Sequence, residues 1–305
     1  ERTMAENAQT FRLLRLFPFF GKGNAAIASD RVKKSRKLGL VFWLAVSWLS
    51  LCLLATISTN FITFPDPLSQ DYAALSAPWT MEHLMGTDNL GRNMFSRVIF
   101  GAATSFKIAF TSPFIGMGLG LILGMCAGYF RGRVDSTVSI FIDSILAFPN
   151  IVLAIAILFY AGANLTNLVL VIAFYTIPQF TRISRANTML YAQREFVVAA
   201  RAQGASHIRI LFRELLPNVI VPVAAYSLLI MSFTIALEGT LSFLGVGLPP
   251  PDPTWGQMIS EGVEELEEDA FISFVPAAFM FLTILSLTLM GDRLRQFTDV
   301  KASSA

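Results

Sequence analysis

Apolar residues in this chain come in long unbroken blocks, not in alternation with polar ones. Leu38–Ile57, Ile108–Phe130 and Ala270–Met290 each run without a charged residue. A helix crossing about 30 Å of hydrocarbon needs roughly 20 residues at about 1.5 Å each, so each block predicts a membrane span. Ser144–Thr181 is also free of charge but too long for one span. AGAN at Ala161–Asn164 supplies a turn, dividing this region into a third span over Ser136–Tyr160 and a fourth over Leu165–Thr181. A fifth follows over Val219–Leu244, making six. The period-2 alternation of a membrane β-barrel is absent, so the backbone is expected to satisfy its hydrogen bonds in helices. The expected fold class is all-α, a polytopic membrane protein with six transmembrane helices.

Composition agrees with this reading. The 305 residues are 54% hydrophobic and 14% charged, with a mean hydropathy of +0.59, against about 25% charged residues in a soluble domain. A net charge of +2 is too small to indicate a nucleic-acid partner. The distribution of charge says more. With a cytoplasmic N-terminus, 20 of the 23 Lys and Arg residues fall inside, leaving only Arg92, Arg97 and Lys107 outside. Basic residues favour the cytoplasmic side, so both termini are expected there, in a multi-pass plasma-membrane protein.

The expected organisation is a cytoplasmic N-terminal tail over residues 1–37, a six-span domain over 38–292, and a cytoplasmic C-terminal tail over 293–305. Within the domain, residues 182–217 form a cytoplasmic loop, and 58–107 and 245–269 form outer loops. The first apolar block is longer than the h-region of a cleavable signal peptide and is expected to stay as a span. In the tail, RLLRLFPFFGKG (Arg12–Gly23) mixes basic and bulky apolar residues. It reads either as an interfacial helix on the membrane surface or as a loosely ordered tail. Cys52 and Cys126 lie inside apolar blocks as packing residues. His83 and His207 fall on opposite sides of the membrane, so no metal site is expected.

One polar stretch interrupts the apolar pattern: EFVVAARAQGASHIRILFRELLPN, Glu195–Asn218. Glu195–Ala202 reads as a short helix stopped at Gly204, since glycine accepts a left-handed C-terminal position. Ser206 can cap a second helix through Leu216, and Pro217 marks a bend into the fifth span. Helices this short are unstable alone, so they need a docking surface.

At these residues the chain resembles the ABC importer permeases, through Ala199-Ala200, Gly204 and Leu216-Pro217. Two further segments resemble the C-type membrane subunit of dipeptide, oligopeptide and nickel transporters: MGTDNLGRNMFSRVIFGA (Met85–Ala102) and LEGTLSFLGVGLPPPDPTWGQMI (Leu237–Ile259). The chain departs from the pattern at Val198, where Glu is common, and at Asn93, where Asp is usual. Glu195 and Arg201 are candidates to replace the missing Glu. The resemblance implies a type I importer transmembrane fold and an ATPase-coupling loop containing Val198, Ala199, Ala200, Arg201, Gly204, Ala205, Ser206, Leu216 and Pro217. It further implies a homologous permease partner, a separate ATPase that binds ATP and magnesium, and an extracytoplasmic substrate-binding protein. Dipeptides, oligopeptides, glutathione-like peptides and nickel complexes are the cargo classes it leaves open.

Two carboxylates, Asp143 and Glu238, fall within apolar blocks. An ionised group at mid-bilayer costs at least about 2.5–3.5 kcal/mol, so each reads as part of a translocation path or gate, or as a hydrogen-bonded pin between helices. After Glu238, Gly245, Gly247 and Pro249–Pro251 break the helix. Beyond lie Trp255 and an acidic run with Glu264 and Glu265, read as a contact for a binding protein or as a solvated loop. Gly116, Gly118, Gly120 and Gly124 read as close-packing positions, with pore lining as the alternative, and Pro113, Pro149 and Pro178 as kinks.

The chain has no G-x-x-x-x-G-K-[ST] phosphate loop and no nucleophile–base pair. The expected function is a non-catalytic permease subunit of an ATP-driven peptide importer, with no cofactor on this chain. The alternatives are a secondary carrier or channel, and more remotely a membrane enzyme using Asp143 and Glu238.

Overall fold

Helices begin and end in this protein where backbone chemistry requires it, and not where charge first appears. The computed structural model describes residues 39–81 and 83–304; the reading made for Arg12–Gly23 lies outside them. Helix α1 is Leu40–Ser58, α2 Met94–Phe130, α3 Gly132–Leu146, α4 Asn150–Ala161 and α5 Leu165–Tyr191. Two short elements follow the bundle's turn: α6, Glu195–Ala202, and the start of α7, which runs over His207–Phe243. Finally, α8 is Trp255–Val263 and α9 Phe271–Ser304.

Four of these, α1, α2, α7 and α9 as far as Phe297, are long and apolar enough to cross a membrane. The α3–α4 pair makes a fifth if taken as one span, but its two helices meet at 78°. The third expected span is therefore broken. Pro149, at the N-cap of α4, lacks an N–H and disfavours helical geometry at the residue before it. By contrast Pro113 and Pro178 lie inside α2 and α5 without ending them.

Helix α5 continues past Thr181 because Arg182 and Arg185, which end the apolar block, are paired with Asp143 and Asp135 of α3. Helix α2 likewise starts at Met94 and not at Ile108. Asn93 is its N-cap, accepting from Ser96 N at 3.1 Å. Its 37 residues span about 55 Å, well beyond the hydrocarbon thickness.

The α2–α5 contact organises the bundle. Gly116, Gly120, Gly124 and Gly128 recur every fourth residue along one edge of α2. A Cβ at Gly124 would lie 2.5 Å from the Thr181 carbonyl and 2.7 Å from Ser184 Cβ; one at Gly128 would lie 2.7 Å from the Arg185 carbonyl. Backbone thus meets backbone along the whole seam. Gly118 is a correction: open space surrounds it, because it points off this edge, and Gly128 takes its place in the series. Helix α7 lies against α9, α2 and α5. Trp48 of α1 donates to Thr283 of α9 at 3.1 Å.

Candidate functional site

The elbow between α5 and α7 is built by two caps. Gly204 has φ +78°, the left-handed position only glycine takes readily. There the Gly204 N–H donates to the Arg201 carbonyl at 2.9 Å and the Ala205 N–H to the Ala200 carbonyl at 3.1 Å, a Schellman closure of α6. Two residues on, the Ser206 hydroxyl accepts from Arg209 N and starts α7. Both expected caps are present.

Pro217 differs from expectation. It does not bend the chain, because α7 is continuous through it. The turn just before it, Ile210–Leu215, widens to a π-type turn in which Leu216 N–H reaches the Leu211 carbonyl, five residues back. A proline ring crowds the carbonyl four residues before it and offers no N–H, and a widened turn accommodates both defects.

The elbow has a closed and an open face. Val197, Ile210 and Leu215 are buried against Leu121, Met125 and Tyr129 of α2. Val198, Ala199, Arg201, Gly204, Ser206 and Pro217 are exposed, with Ala200, Ala205 and Leu216 half-buried. Phe196, Ile208 and Phe212 add exposed apolar surface, Ile208 at 70% and Phe212 at 64%. None of these three was singled out in the sequence, although Ile208 and Phe212 stand four residues apart, the spacing of one helix face.

Tyr129, near the end of α2, holds the two arms of the elbow together. Its ring lies 5.1 Å below the Arg201 guanidinium, a cation–π contact. Its hydroxyl shares a 2.9 Å hydrogen bond with His207 Nδ1. Arg201, a candidate to replace the missing Glu, is thus engaged within the chain, while Glu195 stays exposed in the first turn of α6.

At the far end of the bundle the chain gathers a charged cluster that the sequence did not disclose. Arg92 pairs with Asp88 at 2.6 Å and with Glu261 of α8 at 2.8 Å. Arg97 pairs with Glu261 at 2.8 Å and approaches Asp88 at 3.4 Å. Arg97 is 1% exposed. Asp88 also accepts from the backbone N–H groups of Leu90 and Arg92, so the TDNLGR turn is wound around it. A signal existed in Arg92 and Arg97, two of only three basic residues expected outside; their partners come from remote parts of the chain.

Trp255 cannot serve as a partner contact, which corrects that expectation. It is fully buried, with Nε1 donating to the Val98 carbonyl at 3.1 Å and its ring edge-on to Phe106. Glu264 is exposed on a cleft of about 500 Å³ lined also by Gln70, Arg92 and Glu261. Glu265 accepts from Asn89 at 3.3 Å.

The two membrane carboxylates have opposite surroundings. Glu238 is 1% exposed and accepts from Thr254 Oγ1 at 2.7 Å and Ser242 Oγ at 2.9 Å. Gly256 leaves room for it: a Cβ there would lie 3.1 Å from the carboxylate. Glu238 therefore ties the end of α7 to the N-cap of α8. Asp143 is open, 2.8 Å from Arg182 with both side chains more than half exposed.

Among the described residues the protein is a helical membrane bundle with a long helix rising from a capped elbow, and the comparisons give its class, a transport subunit. Residues 116–300 match the family described as binding-protein-dependent transport system inner membrane component. The chain belongs to this family, and is a multi-pass inner-membrane protein. It is 36% identical to the glutathione transport system permease protein GsiD of Pectobacterium atrosepticum over 77% of this chain and 78% of that protein. It is 34% identical to a peptide transport system permease protein of Brucella suis biovar 1, over 92% of this chain and 94% of that one. Among solved structures, the MetNI methionine ABC transporter in inward facing conformations aligns with a TM-score of 0.56 at 18% identity, covering 67% of this chain and 97% of that one. That likeness shows the fold, the transmembrane architecture of a type I ABC importer.

Proposed function

We propose that this chain is one of two homologous membrane subunits of an ATP-driven peptide importer. A separate ATPase, holding ATP and magnesium, grips the elbow, and a substrate-binding protein delivers cargo at the far end. In this reading the elbow and both termini are cytoplasmic. The names of the relatives support peptides or glutathione as the cargo class.

The observation that carries the reading is the elbow's division into two faces. Its inner face is locked to α2 through Val197, Ile210 and Tyr129, so a displacement of the elbow moves the bundle. Its outer face offers Val198, Ala199, Phe196 and Ile208 exposed among the described residues, as a docked element needs. Helix α7 carries the motion. It runs unbroken from the elbow to Glu238, whose bond to Thr254 extends it into α8. Glu264 lies on this far surface, next to the cleft, and is the acidic residue we place against the binding protein. Work is done only if the ATPase binds the elbow differently in its two nucleotide states.

Co-purification and reconstituted uptake test the reading together. The complex isolated through a tag on this chain is expected to contain an ATPase and to accumulate peptide in liposomes only with ATP. A chain that purifies without an ATPase and transports on an ion gradient is a secondary carrier, and the proposal fails.

A further inference from the structure

Helices α3 and α5 are joined by two salt bridges of different character. Asp135 and Arg185 meet through two bonds, Nε to Oδ1 and Nη2 to Oδ2, and Asp135 is only 20% exposed. This bidentate pair is a staple. Further from the elbow, three residues along α5 and eight along α3, Asp143 and Arg182 meet through a single 2.8 Å contact, 64% and 62% exposed. With the staple already holding the helices, the second pair is free to open.

Its position says what it faces. Asp143 and Arg182 stand immediately before and after the charge-free run Ser144–Thr181. Asp143 is about 16 Å of helix rise from Gly132, and Arg182 about 13 Å from the end of α5, so the pair lies within the bundle and not at its tip. Helix α3 buries only Ile142 and Ile145. Ser136 and Ser144 are exposed near Asp143, interspersed with exposed Ile140 and Phe141, so the ion pair is the polar feature of this part of α3. Acyl chains do not accept an exposed ion pair, so the pair itself borders water.

We propose that Asp143 and Arg182 form a cargo subsite on the translocation path that takes the two ends of a zwitterionic peptide. The inference rests on the importer reading. The cargo's ammonium replaces Arg182 on Asp143, and its carboxylate replaces Asp143 on Arg182. One ion pair becomes two, the net charge of the path stays zero, and departure of the cargo lets the pair close again. A solute with one charge can satisfy only one partner and leaves the other unpaired.

The test uses the complete transporter with its binding protein in liposomes. Uptake of L-alanyl-L-alanine, its N-acetyl form and its C-terminal amide is measured for each variant relative to wild type. Loss of a hydrogen bond to a charged group is worth about tenfold. Asp143→Asn is expected to lower uptake of the free peptide and the amide about that much while sparing the N-acetyl form. Arg182→Gln is expected to spare the amide instead. Equal effects on all three probes overturn the subsite.

A second measurement does not depend on these variants transporting. In a Ser144→Cys complex, a charged thiol reagent is expected to react, and dialanine with the binding protein to slow that reaction. Failure to label, or labelling indifferent to peptide, overturns the subsite. A wild-type complex with no ATPase, or without ATP-driven uptake, overturns the importer reading itself.

Discussion

Thr254 Oγ1 donates to Glu238 Oε1 at 2.7 Å, joining the last turns of α7 to a separate helix, α8. Oε2 of Glu238 has no hydrogen-bond partner among the described residues, so Thr254 and Ser242 carry all of its side-chain satisfaction. Thr254→Val is expected to destabilise by about 1–3 kcal/mol, the cost of leaving a buried acceptor short of a donor. Thermal unfolding of the detergent-solubilised complex measures this. An unchanged midpoint would show that α8 is held without the bond.

Gly204 is the left-handed corner of the elbow. A Gly204→Val variant places a β-branched residue at φ +78°, at a cost of about 1–2 kcal/mol. No neighbour crowds that position, so the effect is on the backbone alone. The protein is expected to reach the membrane while ATP hydrolysis separates from uptake. Wild-type coupling in this variant would count against the elbow as the lever.

Asn93 stands where the resemblance to the importer permeases implies Asp, and its capping role is one that Asp can share. It caps α2 by accepting from Ser96 N, which a carboxylate does as well. Asn93→Asp is expected to be close to neutral, and Asn93→Ala to cost about 1 kcal/mol. Denaturant titration of the two variants side by side decides. Equal stability of Ala and Asp variants would remove the capping account.

Arg97 is buried beside Arg92, Asp88 and Glu261. Arg97→Ala leaves two carboxylates facing a single guanidinium and is expected to cost about 3–5 kcal/mol. Loss of the folded complex from membranes, measured by yield after extraction, is the expected outcome. Normal yield would mean that water replaces the arginine.

On α2 the same substitution should give opposite results two residues apart, on and off the seam with α5. Gly120→Ala places its Cβ 2.5 Å from Phe180 Cβ and is expected to prevent close packing, whereas Gly118→Ala meets open space. Expression and oligomer size of the two variants test this. Equal tolerance would show that α2 and α5 can separate without loss.

The caps at Gly204 and Ser206 and the glycine edge of α2 were legible because each depends on neighbours within one or two turns. Helix ends were misread where a charge was taken as the limit of a block. Arg97, Arg182 and Arg185 all lie inside helices, each neutralised by an acid that sequence distance hides: Glu261 is 164 residues from Arg97, and Asp135 is 50 from Arg185. Trp255 was placed on the surface because a loop rich in proline and acid surrounds it; its burial depends on Val98, Ser105 and Phe106, which come from another helix.

The sequence alone determined that this chain spans a membrane and where a glycine elbow interrupts the apolar run. These follow from free energies of transfer and from backbone geometry, which each segment carries by itself. Only the tertiary structure decided which charges are neutralised, that Glu238 is a buried tie while Asp143 is open, and that Tyr129 clasps the elbow. Those outcomes are interactions between residues far apart in the chain, and their energy exists only once the fold brings the partners within a few ångströms.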